Sequence, residues 1–123
     1  MKILLDTHVF LWALGEPSKL SDKQRFEIES LSNIICVSSI SIAEIMIKSS
    51  IGKLLVDFDS IEMVKKSGFE LLDFTAKDAV LLKDIPFHHR DPFDRMLICQ
   101  GLVNKMRIMT ADEKFQLYDC KLV

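Results

Sequence analysis

Short apolar runs alternate along this chain with segments whose apolar residues recur at helical spacing. Residues 3–5, 34–37, 69–72 and 107–109 read as strands, with 120–123 as a candidate edge strand. The runs are nearly all apolar, the pattern expected of strands covered by helices on both faces. Helix starts fall between them. Ser21-Asp22-Lys23-Gln24 spells a capping box before Phe26, Ile28 and Leu31, and Ser41-Ile42-Ala43-Glu44 spells another before Ile45 and Ile47. Asp59 can cap a helix that stops at Gly68, and Thr75-Ala76-Lys77-Asp78 opens one that stops near Pro86. Asp91-Pro92 supplies an N-cap and a first-turn proline for a helix to about residue 105. This alternation predicts an α/β fold, a three-layer α/β/α sandwich on a central parallel sheet.

With 123 residues and no repeat, low-complexity tract or linker, residues 1–123 read as a single domain. Hydrophobic residues make up 49% and there are only 4 Gly and 3 Pro, which argues against disorder. Lys and Arg total 16 against 18 Asp and Glu, a net charge of -2. That excludes nucleic-acid binding by bulk charge, but not a nuclease that attracts phosphate through a bound cation. Cys36, Cys99 and Cys120 lack CxxC spacing and read as buried, reduced thiols. Asp6 and His8 interrupt the N-terminal apolar run before it resembles a signal peptide, and no apolar stretch is long enough to span a membrane. The expectation is a soluble, cytoplasmic protein.

The chemistry lies in the acids. Asp6 follows the first strand directly and Asp112 follows the 107–109 strand closely, with Glu44 and the dense stretch His89-Arg90-Asp91-Pro92-Phe93-Asp94-Arg95 between them. In parallel α/β sheets, ligands bind beyond the carboxyl ends of the strands, at the switch in strand order. Each acid also has a purely structural reading. Glu44 completes a capping box from Ser41; Asp91 caps the helix that Pro92 opens; Asp94 sits in that helix's first turn; Asp112 can cap a turn through Lys114 and Phe115. Asp6 has the weakest such explanation. Converging carboxylates repel one another, and a divalent cation relieves the repulsion. An all-oxygen ligand set favours Mg²⁺ or Mn²⁺ over zinc, and such an ion suits phosphodiester hydrolysis.

The histidines compete poorly. His8 reads as a packing or hydrogen-bonding residue, and His88 and His89 as loop residues facing substrate or solvent. No His–Cys spacing fits zinc, no motif supports a serine or cysteine nucleophile, and no Gly-rich phosphate loop is present.

At these residues the chain resembles the PIN-domain ribonucleases, specifically the VapC-type toxins of bacterial and archaeal toxin–antitoxin pairs. The resemblance spans essentially the whole chain, through four motifs in order: Leu4-Leu5-Asp6-Thr7-His8-Val9-Phe10-Leu11-Trp12, Ser41-Ile42-Ala43-Glu44-Ile45, residues 89–98, and Thr110-Ala111-Asp112-Glu113-Lys114-Phe115. It implies a compact α/β/α fold and a Mg²⁺- or Mn²⁺-dependent endoribonuclease whose acidic quartet is Asp6, Glu44, Asp94 and Asp112. Asp94 fits the third motif better than Asp91, because it leads into Leu97-Ile98 at the helical offset. Cys99-Gln100-Gly101 depart mildly from the small residues usual there. Asp91 remains a second-tier candidate, and Thr110 matches a hydroxyl that orients the fourth acid. The resemblance further implies homodimers, an RNA substrate and a cognate antitoxin.

Two other readings stand beside it. One is an aspartate-based phosphatase of haloacid dehalogenase type, although His8 occupies the place of that family's second aspartate. The other is a degenerate PIN domain that only binds a partner or RNA. Phe10, Trp12 and Ile45-Met46-Ile47 exceed the apolar content one helix face needs, which hints at a partner interface.

Overall fold

The structure, a computed structural model, describes residues 1–123. Four parallel strands, β1 (Lys2–Leu5), β2 (Ile34–Ser38), β3 (Glu70–Leu72) and β4 (Arg107–Met109), form one sheet in the order β3-β2-β1-β4. β1 pairs with β2 through Leu5↔Val37 and with β4 through Leu5↔Met109, so its end is flanked on both sides. The chain runs from β1 outward to β2 and β3, then returns to place β4 on the other side of β1. The switch in strand order therefore falls beside the end of β1. The expected edge strand reduces to one bridge, Ile108↔Leu122, flanked by bonds from Ile108 N–H to the Lys121 carbonyl and from Val123 N–H to the Ile108 carbonyl.

Both sheet faces are covered, which makes three layers. On one face Ile3, Leu5, Ile35, Val37 and Met109 pack with residues of α1 (Thr7–Gly15), α3 (Ser39–Ser50) and α4 (Ser60–Lys66). On the other, Leu4, Cys36 and Ile108 meet Leu97 and Ile98 of α6 (Pro92–Val103), beside α5 (Ala76–Val80). Phe10 and Ile45 are fully buried in this core, so they do not belong to a partner surface as the sequence suggested; Met46 and Ile47 are exposed. α2 (Asp22–Glu29) contributes Ile28 to this core; Phe26 is exposed, and Leu31, expected on the same helix, lies exposed in the turn beyond its end.

Most expected caps are present. Ser21 with Gln24, and Thr75 with Asp78, form capping boxes; Asp59 caps α4, and Gly68 follows it with φ +76°, a left-handed conformation suited to glycine. The expected box at Ser41 does not form. α3 begins earlier, capped by the Ser38 hydroxyl, which accepts from Ile40 N–H at 3.0 Å. Cys36 and Cys99 are buried free thiols, and burial pushes Cys99 up to about 11, so it stays protonated. No helix is long and apolar enough to cross a membrane.

α6 approaches β4 closely at Gly101. A Cβ there would lie 2.8 Å from Ile108 Cδ1 and 2.9 Å from Cγ1, inside a fully buried region. Gly101→Val should therefore destabilise the fold by about 1–3 kcal/mol through overpacking, measured as a lower urea midpoint. An unchanged midpoint would mean that α6 and β4 separate freely.

Candidate metal centre

Asp6 sits where the sheet stops. Its N–H donates to the Met109 carbonyl at 3.0 Å, which fixes it level with the end of β4. One carboxylate oxygen accepts from Val9 N–H at 2.8 Å and caps α1; the other accepts from the Thr110 hydroxyl at 2.5 Å. Thr110 Oγ1 in turn accepts from Asp112 N–H at 2.9 Å. One hydroxyl thus links the first and fourth acidic motifs. Asp112 Oδ1 accepts from Lys114 N–H at 2.9 Å and caps a 3-10 turn, as its sequence context predicted. Asp6 proves to be a helix cap as well, a role the sequence reading underrated.

Glu44 is buried on α3, and the Thr7 hydroxyl donates to Ser41 Oγ at 2.9 Å to join α1 and α3 nearby. Glu44 Oε2 accepts from Lys48 Nζ at 2.6 Å, while Oε1 is buried without a hydrogen-bond donor. Asp91 caps α6 through Phe93 N–H at 2.8 Å and Asp94 N–H at 3.3 Å. Asp94, one turn in, makes no cap.

The sequence missed His89. It is only 7% exposed, not a solvent-facing loop residue, and its Nε2 lies 2.9 Å from both Asp94 Oδ2 and Asp112 Oδ2. His88 packs edge-on against Tyr118, 5.2 Å between ring centroids. His8 is exposed rather than packed in the core, its ring tilted 6.2 Å from that of Trp12. The loop carrying His89 is held by Arg95, also missed. Its Nη1 donates to the Pro86 carbonyl at 2.9 Å and its Nη2 to that of Leu82 at 3.3 Å, while the guanidinium lies 4.3 Å from the Phe87 ring centroid. The early part of that loop could not be read from periodicity, because its shape depends on α6.

The acids feel one another. Burial and the charge of Asp91 push Asp94 up to about 7, with Asp6 and Glu44 adding to the rise and His89 opposing it. Burial also raises Asp6, against the donors Thr110 and Val9. Asp112 is held below the usual carboxylate range: burial would raise it, but Lys114 N–H and His89 outweigh that effect. The Lys48 ammonium is raised, first by its hydrogen bond to Glu44, with Asp91 and Asp94 contributing. Asp6, Glu44, Asp91 and Asp94 thus form one electrostatic cluster, joined to Asp112 through Thr110 and His89. A buried carboxylate oxygen without a donor, among acids that raise each other, fits a hard divalent cation with oxygen ligands.

A model of the PIN domain family matches residues 3–120. The chain belongs to the PIN domain family. This PIN domain shares its fold with the VapBC2 complex of Rickettsia felis bound to promoter DNA, at TM-score 0.72 and 18% identity over 100% of this chain and 98% of that chain. The DNA-bound VapBC of Salmonella typhimurium follows at TM-score 0.69 and 18% identity, covering 100% and 97%. FitAcB of Neisseria gonorrhoeae matches at TM-score 0.67 and 19% identity, covering 98% and 95%. No curated protein matches the sequence significantly. The family match displaces the phosphatase alternative.

Asp94 gives the metal-free PIN domain a pH dependence. Its folded value, about 7, lies above its unfolded value, so the stabilisation is full below about pH 4 and lost as pH rises through 7. Urea unfolding in EDTA should show a loss on the order of a few kcal/mol between pH 4 and pH 8. Asp94→Asn should flatten that slope. The same slope in both proteins would remove Asp94 as its source.

Proposed function

We propose that this PIN domain is a divalent-metal-dependent endoribonuclease and the toxin of a toxin–antitoxin pair. The observation that carries the reading is the undonated Glu44 oxygen in a cluster with Asp6 and Asp94, inside a chain matched to the family over residues 3–120. Asp6, Glu44, Asp94 and Asp112 would hold Mg²⁺ or Mn²⁺, with Asp6 and Asp94 nearest the ion. Asp91 and Thr110 support them, the first as a cap and the second as a donor to Asp6. When bound, the cation supplies Lewis acidity to a phosphodiester and favours in-line attack by water, giving 5′-phosphate and 3′-hydroxyl ends.

The chain's own part is orientation. Thr110 and Val9 N–H fix the plane of Asp6, Lys114 N–H and His89 fix Asp112, and Lys48 sets one side of Glu44 while offering positive charge at the rim for a phosphate. The neighbouring VapBC and FitAB structures are complexes, which supports a cognate antitoxin as partner. The exposed Met46 and Ile47 of α3 support a protein interface, such as that of a homodimer. A cytoplasmic site of action would bring it to its RNA substrate.

RNA cleavage should require Mg²⁺ or Mn²⁺ and stop in EDTA. Asp6→Asn, which still caps α1, should lose about a hundredfold or more in rate. Equal cleavage by both proteins, or cleavage that persists in EDTA, would overturn the metal-dependent assignment; no cleavage together with no metal binding by calorimetry would leave a partner-binding module as the reading. As a toxin, the wild-type chain should arrest growth on expression and Asp6→Asn should not; growth unaffected by a chain that cleaves RNA would separate nuclease from toxin.

A further inference from the structure

His89 stands out because its ring meets the acidic cluster on one nitrogen and the backbone on the other. Nε2 makes a hydrogen bond to Asp112 Oδ2 at 2.9 Å and lies 2.9 Å from Asp94 Oδ2. His89, Asp94 and Asp112 offer ligand atoms within 4.8 Å of one another, spacing that would also suit a metal ion held by all three. The other nitrogen decides between the two roles. Asp91 N–H donates to Nδ1 at 3.2 Å, so Nδ1 presents its lone pair and the ring proton resides on Nε2. Ligation through Nε2 would move that proton to Nδ1, where two donors would face each other 3.2 Å apart.

The ring is also held in place. His89 N–H donates to the Tyr118 hydroxyl at 2.8 Å, and the ring lies edge-on to Phe115, 6.1 Å between centroids. Arg95 reaches the same Tyr118 oxygen at 3.4 Å while it grips the loop carbonyls. A swing of the ring away from the acids would lose the Phe115 contact and the bond from Asp91 N–H to Nδ1, while the backbone bond to Tyr118 keeps the loop itself in place.

We propose that His89 is a positioning residue of the metal centre: its Nε2–H fixes the Asp112 carboxylate beside Asp94 for a divalent cation, and it does not itself ligate the ion. The inference rests on the metal-dependent reading above and assigns a role to a residue outside the acidic quartet. Donors to ligating carboxylates set their orientation, and losing one weakens metal affinity by about 10- to 100-fold.

Two measurements without RNA test it. Long-range ¹H–¹⁵N correlation spectra of the labelled protein should show His89 as the Nε2–H tautomer, before and after Mg²⁺ is added to saturation. A change to the Nδ1–H tautomer with Mg²⁺ would make His89 a ligand and overturn the proposal. Mn²⁺ binding, followed through the resonance of the free aqua ion, should weaken about 10- to 100-fold in His89→Phe. His89→Gln, which keeps a side-chain N–H donor, should recover most of that affinity. Equal Mn²⁺ affinity in wild type and His89→Phe would reduce His89 to a packing residue. If the wild type binds Mn²⁺ but cuts no RNA, the nuclease reading fails and the positioning role stands; if it binds no Mn²⁺, both fail. Should the variants not fold, the tautomer of the wild type still decides.

Discussion

The repulsion among carboxylates gathered at the end of β1 is the constraint to which the rest of this molecule answers. Because β1 lies between β2 and β4, the chain that leaves it emerges where the strand order switches, and Asp6 is the first residue out. Glu44, Asp91 and Asp94 arrive from helices that begin at the same edge, close enough for their charges to register on one another. Burying them is costly unless donors compensate. Asp6 has Val9 N–H and Thr110, Asp112 has Lys114 N–H and His89, Asp91 has two amides of α6, and Glu44 has Lys48 on one oxygen.

The compensation comes largely from helix starts. Asp6 opens α1, Asp91 opens α6 and Asp112 opens a 3-10 turn, so the amides that any helix start leaves free are turned toward the acids. Capping and site-building are therefore one arrangement in this fold, not rival explanations of the same residues. The difference lies in which acids have something left over. Glu44 and Asp94 cap nothing; one keeps a buried oxygen without a donor, and the other is pushed up to about 7.

This overlap explains how much was legible in the sequence. β1, β2 and β4 showed as apolar runs because both sheet faces are covered there, and Asp6, Asp91 and Asp112 showed as acids at element boundaries. The Asp91-Pro92 pair marked Asp91 as a cap, which it is, and motif order pointed to Asp94 as the acid of that stretch. Glu44 was misread locally: Ser41 and Glu44 have capping-box spacing, but Ser38 already caps the helix, and a box pattern inside a helix looks the same from sequence. His89 was obscured for a different reason. Its burial depends on a loop gripped by Arg95 and on Tyr118 from near the chain's end, contacts that no local pattern encodes.

Arg95 shows how the excess of negative charge is maintained. It immediately follows Asp94 on α6 and is itself buried, so an ion pair into the acidic cluster would be the obvious use of its charge. Successive residues of a helix point about 100° apart, however, and Arg95 turns to the loop before α6 instead. There it donates to the Leu82 and Pro86 carbonyls and covers the Phe87 ring. A guanidinium turned the other way would neutralise Asp94 and fill the space between the acids. By spending its one buried arginine on backbone carbonyls, the fold stiffens the loop that presents His89 and leaves the carboxylates short of positive charge. The same side chain therefore serves the geometry of the centre and its appetite for a cation.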